Sequence, residues 1–142
     1  MNRSFLFSWA LIAGTLVSCG SDELPSREQI PVLRERLFSL QRGVSAHNHA
    51  AVDSLLSIDI LDVHQSSDSL FSFIYGPSGD FAFRQFGEYT IFFSNELAII
   101  DCFVMDSTEN RGRPLRLIYK LDDGVWLLKE FRAGDADSKT LL

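Results

Sequence analysis

The fold is indicated most clearly by one stretch near the C-terminus, residues 116–128, with the sequence RLIYKLDDGVWLL. Its two halves are rich in aliphatic and aromatic residues, and Asp122-Asp123-Gly124 between them is typical of a tight turn. We predict that Arg113–Leu121 and Val125–Arg132 form an antiparallel pair around this three-residue loop, in which Gly124 takes a positive φ. The C-terminal third of the chain is therefore expected to end in a β-hairpin.

A second hairpin is predicted immediately upstream. Glu88–Phe93 and Leu97–Asp106 are dense in Phe, Tyr, Ile and Val and lie on either side of Ser94-Asn95. Because an even-length turn pairs even-numbered with odd-numbered residues, each face of this hairpin can be assigned. The face expected to meet the helices is almost wholly apolar and carries Tyr89, Ile91, Phe93, Ala98, Ile100, Cys102 and Val104.

The faces of the C-terminal hairpin follow from its three-residue loop. Arg116 is then directly opposite Glu130 on the outer face, a favourable cross-strand pair. Asp101 of the other hairpin shares that face, where Arg116 or Lys120 could pair with it, which makes Asp101 a poor catalytic base. The residues predicted to point inward are Leu115, Leu117, Tyr119, Leu121, Val125, Leu127 and Phe131.

The outer face also carries large apolar residues. The six predicted there are Phe92, Ile99, Phe103, Ile118, Trp126 and Leu128. Monomers rarely expose contiguous apolar patches beyond a few hundred Å². We therefore expect a homodimer through this face, unless the C-terminal tail, residues 133–142, covers part of it.

One long helix is predicted before the sheet. Apolar residues from Ile30 to Val44 recur at intervals of three and four, which places them on one helix face. The helix is expected to begin either with a capping box at Ser26 or at Pro31, because proline suits a first turn. Gly43 is expected to end it.

Shorter elements follow. Asn48 is the predicted N-cap of a second helix, with Ala51, Val52, Leu55 and Leu56 facing inward. A short strand is predicted over Ile58–Val63. The apolar pattern of Asp68–Tyr75 fits either a helix or a buried strand, and the glycine-proline turn after it ends the segment in both cases.

Two helices, a short third element and a closing antiparallel meander resemble the nuclear transport factor 2-like fold, a cone of helices on a curved sheet. The resemblance covers Ser26 to Arg132, and its most recognisable pieces are the helix opening at Asn48 and the terminal strand, turn and tryptophan strand. It implies an α+β domain, and sheet faces commonly pack in homodimers in this family. Members include ketosteroid isomerase-like and polyketide cyclase-like enzymes as well as binding domains, so the fold leaves function open.

The N-terminus predicts where the protein resides. Arg3 supplies a positive n-region, and Phe5–Val17 is apolar but shorter than the roughly 20 residues that cross a bilayer. Leu16-Val17-Ser18-Cys19 resembles the lipobox of bacterial lipoproteins. The resemblance implies that residues 1–18 are a signal peptide and that Cys19 becomes the lipidated first residue.

The mature chain would then have three parts. Residues 19–25 are predicted as a lipidated tether, residues 26–132 as the domain and residues 133–142 as a loose tail. Gly20 stands where an aspartate would resemble an inner-membrane retention signal. We therefore expect a lipid anchor in the outer membrane of a bacterial envelope, at its periplasmic face or on the cell surface.

Charge and cysteine content limit the classes of partner and the kind of stabilisation that the domain can use. Loss of the leader moves the formal net charge from -6 to -7, because Arg3 is its only ionised side chain. An acidic chain without basic clusters argues against nucleic acid and leaves protein or small-molecule partners. Only Cys102 remains after lipidation of Cys19, so no intramolecular disulfide can form. With 46% hydrophobic residues and 12 phenylalanines, the domain must be held by packing.

Few residues offer catalytic chemistry. Asp62 and His64 could form an acid–base pair at the mouth of a cone, with Tyr89 and Tyr119 supplying hydroxyls on the inner face. However, no Asp or Glu falls on the predicted inner face of either hairpin, so an isomerase-like mechanism has no base there. Cys102 is expected to be a small core residue rather than a nucleophile.

A metal site is also not favoured. His47 and His49 flank Asn48 near Asp53, a pattern more typical of a solvated helix start than of metal ligation. The sequence therefore favours an envelope lipoprotein domain that uses no metal or cofactor and binds a small apolar ligand or a protein partner without catalysis. The alternative is a small cofactor-independent isomerase, dehydratase or cyclase that uses Asp62, His64 and a tyrosine for proton transfer.

Overall fold

The computed structural model describes residues 27–58, 60, 66–107 and 112–134, and it confirms the α+β class. Helices precede a curved antiparallel sheet whose strand order follows the sequence, an architecture compatible with a nuclear transport factor 2-like cone. After a 3-10 turn at Arg27–Gln29, the helices are α1 (Ile30–Ser45), α2 (His49–Asp53) and α3 (Ser67–Tyr75). The strands are β1 (Phe83–Ser94), β2 (Leu97–Asp106), β3 (Gly112–Asp122) and β4 (Val125–Ala133).

Helix α1 packs its predicted apolar face into the core. Its fully buried side chains are Leu33, Leu37, Leu40 and Val44. Pro31 occupies the first turn, as the second of the two predicted starts requires, whereas Ser26 lies outside the described residues. The predicted end at Gly43 is wrong, because the helix continues to Ser45. Gly43 is instead buried against α2, where an added Cβ would lie 2.8 Å from a methyl group of Val52.

Helix α2 begins as predicted. Asn48 caps it, since its Oδ1 accepts a hydrogen bond from the Ala51 N–H at 3.1 Å. Of the four residues expected to face inward, Val52, Leu55 and Leu56 are buried, and Ala51 is half-buried.

The segment after α2 reaches the edge of β4. Leu56 forms an isolated parallel bridge with Leu128. The Ser57 N–H donates to the Leu128 carbonyl at 2.8 Å, and the Leu128 N–H donates to the Leu55 carbonyl at 2.9 Å. The strand predicted over 58–63 is not found at Ile58 and Ile60, which are helical, and its other residues lie outside the described part. Strand-like pairing therefore occurs, but two residues earlier than predicted.

The ambiguous segment is helix α3. Leu70, Phe71 and Ile74 are buried along one face, the spacing of an amphipathic helix, and Gly76 ends it at a φ of 79°. The Tyr75 hydroxyl donates to the Val44 carbonyl of α1 at 2.7 Å. These contacts dock α3 against the end of α1.

The first hairpin has the predicted faces. Its two turn residues are Asn95 and Glu96, one position later than expected, which still pairs even-numbered with odd-numbered residues. The inward residues of β2 are all buried: Ala98, Ile100, Cys102 and Val104. Strand β1 starts at Phe83, earlier than predicted. A bulge lies around Glu88, whose φ is 43°, and the residues before this bulge still pair with β2.

The second hairpin differs from the prediction by one residue. Asp122 pairs with Val125, so the loop has two residues, and both Asp123 and Gly124 have positive φ, as a type I′ turn requires. This shift places Trp126 and Leu128 inward. A bulge between Leu128 and Glu130 then restores the predicted inward direction of Phe131.

The core lies between α1, α3 and the inner sheet face. Its largest fully buried side chains are Trp126 and Tyr119, surrounded by leucines and isoleucines. The Trp126 indole N–H donates to Oε1 of Gln29 at 3.2 Å, which joins β4 to the start of the helical layer. The buried polar residues in the described part are Ser57 and Ser67. No helix in that part has both the length and the apolar character to span a bilayer.

Candidate functional site

The structure describes only the two tyrosines among the residues proposed for proton transfer. Asp62 and His64 lie outside the described residues, as does the lipidation site Cys19. Tyr119 is 1% exposed, and burial raises the pKa of its hydroxyl. Tyr89 is half-buried and packs edge-on against Phe38, with 6.4 Å between ring centres. Tyr119 therefore acts as a core residue, and Tyr89 is the more accessible of the two tyrosines.

Cys102 is a core residue, as the sequence predicts. Its side chain is buried on the inner face of β2. Burial, with a smaller contribution from the adjacent Asp101 carboxylate, raises the pKa of the thiol from its ordinary value of 9.0 to about 12. The thiolate needed for nucleophilic chemistry is thus strongly disfavoured at neutral pH.

We expect this thiol to make the fold less stable in alkali. The folded chain retains the proton until about pH 12, whereas the unfolded chain loses it near 9.0, so unfolding is favoured as pH rises above 9.0. The effect should approach about 1.4 kcal/mol for each pH unit in this window. Urea unfolding from pH 7 to 11 measures it, with Cys102→Ala as the matched control. Equal alkaline loss in both proteins would refute the assignment.

The outer sheet face has a different composition from the predicted one. Phe92, Ile99 and Phe103 lie there and are partly exposed, but Ile118 is 7% exposed despite its outward register. The placement of Trp126 and Leu128 on this face is wrong, because the two-residue turn rotates them into the core. Val125 and Leu127, predicted to point inward, take their place. We call Phe92, Leu97, Ile99, Val125 and Leu127 the outer patch.

A partly buried ion pair between β2 and β3 lies beside the outer patch. The Arg116 Nε donates to Oδ1 of Asp101 at 2.6 Å, and Nη2 donates to Oδ2 at 2.7 Å. Both side chains are about one-fifth exposed (22% and 18%), and the guanidinium carbon lies 5.8 Å from the Phe92 ring centre. One of the two pairings predicted for Asp101 is therefore present. The predicted Arg116–Glu130 pair is wrong, because the shifted register places Glu130 opposite Ile118.

His47 and His49 are exposed at the start of α2, as the sequence predicts, and their rings also stack on aromatic residues of α3. His47 stacks on Tyr75 with ring centres 4.4 Å apart, and His49 stacks on Phe71 at 4.1 Å. Nδ1 of His49 lies 2.9 Å from a carboxylate oxygen of Asp68. No group of three or more metal-ligating side chains occurs among the described residues. The stack fixes the α1–α2 corner against α3.

The aromatic partners of these histidines on α3 were not predicted from the sequence. Phe71 and Tyr75 are four residues apart, which places two rings on one helix face only if the segment is helical. The sequence left that segment open between helix and strand. If the segment had been assigned as a helix, the spacing of Phe71 and Tyr75 would have indicated that both rings face the same neighbouring element.

No family model and no curated protein sequence matches this chain. Its function therefore has to be argued from the residues and their arrangement.

Proposed function

We propose that this chain is a lipid-anchored domain of the bacterial envelope, of the nuclear transport factor 2-like type, that binds a protein partner without catalysis. The partner is a second copy of the chain, and the contact surface is the outer patch. The observation that carries the proposal is the exposure of Phe92, an aromatic side chain on the outer sheet face that is 40% exposed.

The composition of the outer face supports a protein contact. Phe92, Ile99 and Ile118 form one continuous cross-strand row. The neighbouring row contains the Asp101–Arg116 pair, whose charges already neutralise each other through two hydrogen bonds. Covering these two rows would therefore bury apolar area without leaving the charges of Asp101 and Arg116 unpaired. A folded monomer would leave these rings and aliphatic chains in water.

Charges of both signs on this face favour a second copy. Lys120 lies between Leu97 and Leu127 in the cross-strand register, and Glu130 lies opposite Ile118. A two-fold interface requires a patch that complements itself, which both charge signs among apolar residues provide.

The filled interior favours a protein partner over a small apolar ligand. The inner sheet face, where a cone would hold such a ligand, is occupied by Trp126, Tyr119 and Leu128 in the described part, each at most 1% exposed. The leader supports the anchor, because Leu16-Val17-Ser18-Cys19 has the lipobox pattern after an apolar stretch of signal-peptide length. An acylated envelope domain needs no further membrane-binding surface.

Sedimentation tests the interface. Wild-type protein is expected to be a dimer at high micromolar concentration, and Phe92→Glu is expected to weaken association at least tenfold by placing a charge in the outer patch. Val32→Glu is the matched control, because Val32 is similarly exposed, at 44%, but lies on α1. Circular dichroism should be unchanged in both variants. A monomeric wild type, or equal effects of the two substitutions, would rule out this interface.

A further inference from the structure

A surface groove of about 420 Å³ lies between α1 and α2, a volume within the range of small-molecule sites. It is lined by Ser39, Arg42, Gly43, Ala46, Asn48, Ala51, Ser54 and Leu55. At Gly43 the missing side chain lets α2 approach α1 closely, with Val52 pressed against the glycine. The lining combines polar side chains with small or aliphatic ones.

The polar side chains that line the groove include hydrogen-bond donors. Arg42 uses one N–H group to donate to the Ser39 hydroxyl at 3.0 Å, and its guanidinium has no carboxylate partner among the described residues. The Asn48 side chain uses its oxygen as the α2 cap, which leaves its two N–H donors directed elsewhere. Among the described residues, no Asp or Glu lines the groove. An arginine with no carboxylate partner in the described part is notable in a chain whose formal net charge is -6.

The backbone carbonyls at the end of α1 already accept hydrogen bonds from the chain itself. The carbonyls of Arg42, Gly43 and Val44, which end α1, accept hydrogen bonds from the N–H groups of Ala46, Asn48 and His47 respectively. The Ser54 hydroxyl likewise donates to the Ala51 carbonyl at 2.7 Å. The groove therefore offers donors from Arg42 and Asn48 that remain available to a ligand.

We infer that this groove binds a small carboxylate monoanion with a short aliphatic body. The planar guanidinium of Arg42 matches the two oxygens of a carboxylate, and the Asn48 amide adds a further donor. A single cation in an acidic protein suits one negative charge better than the two of a phosphate ester. Ala46, Ala51 and Leu55 would contact the aliphatic part.

Two sources could supply this chemistry: a free short-chain acid, or the C-terminal carboxylate of a peptide. Butyrate represents the first, and N-acetyl-alanyl-alanine represents the second. Butyramide and the peptide amide are the neutral controls. Titration of the isotope-labelled full chain, followed through the amide resonances of Gly43, Ala46 and Asn48, is expected to give a dissociation constant of about 1 mM for the preferred acid.

The outcomes separate the sources. A tighter constant for butyrate assigns the free acid, and a tighter constant for the peptide assigns the chain end, while equal constants show that the carboxylate and its adjacent methyl group suffice. Equal binding of the neutral amides, or no binding of either acid at about ten times the expected constant, would overturn the inference.

Substitutions locate the site. Arg42→Gln is expected to weaken binding at least tenfold, and Arg42→Lys to restore only part of it, because an ammonium lacks the two-pronged geometry. Arg34→Gln is the matched control, since Arg34 is an exposed arginine of α1 outside the groove. Unchanged affinity in Arg42→Gln would also overturn the inference. Sedimentation of the same variants should not change, so failure here is distinguishable from failure of the proposed dimer.

Discussion

Trp126→Glu is expected to unfold the domain. Trp126 is fully buried, and its indole N–H bonds to Gln29 at the start of the helical layer. Truncation of a buried tryptophan typically costs about 3–5 kcal/mol, and a buried, unpaired carboxylate adds to that cost. Domains of this kind have a total stability of about 5–15 kcal/mol. Loss of the far-ultraviolet circular dichroism and of a cooperative urea transition would measure the effect.

Phe92→Glu is the control variant for Trp126→Glu, because it places the same charge on the other face of the sheet. Phe92 is an aromatic residue of the same sheet but lies on the outer face, so that variant should retain a cooperative transition. A folded, monomeric Trp126→Glu protein would contradict the two-residue turn. It would instead support the three-residue loop, which places the tryptophan on the outer face.

Cys19→Ala is expected to release the protein completely from the membrane fraction. Buried acyl chains contribute about 0.8 kcal/mol for each methylene, and stable anchoring needs two or more membrane-binding signals. In the described part, no helix is long and apolar enough to replace the proposed lipid anchor. Metabolic labelling with a fatty acid, followed by fractionation, measures both acylation and location.

The second cysteine is the natural control for that experiment. Cys102→Ala removes a thiol from the core and should retain both the label and the membrane location. Label that persists in Cys19→Ala, or disappears in Cys102→Ala, would disprove lipidation at the lipobox cysteine.

The two hairpins show which part of a sheet can be predicted from sequence. For the first hairpin, moving the turn from Ser94-Asn95 to Asn95-Glu96 left every side chain on its predicted face, because the loop length remained even. For the second hairpin, Asp122-Asp123-Gly124 is compatible with two loop lengths that differ by one residue. That single residue exchanged the inward and outward directions of Trp126 and Leu127.

The helical layer was predicted from its periodicity, but its contacts were not. Gly43 was expected to end α1, because glycine commonly follows helix ends. Its role is instead to allow the close approach of Val52, and only a knowledge of which helices touch could reveal that. The groove at Arg42 depends on the same approach, so the sequence pattern gave no indication of it.

The hydrogen bonds between Leu128 and the Leu55–Ser57 segment also affect the tendency of the chain to aggregate through its sheet edges. They occupy the outer edge of β4 at that point, where an exposed strand could otherwise add the strand of another molecule. On the opposite edge, the Phe86 N–H is held by Oε1 of Gln41 at 2.9 Å, and the Glu88 bulge bends β1 beyond it. Continuous growth of a cross-β fibre needs flat, open edges on both sides of each sheet. These contacts would therefore oppose end-to-end sheet growth at the high local density that the proposed lipid anchor would create on a membrane surface.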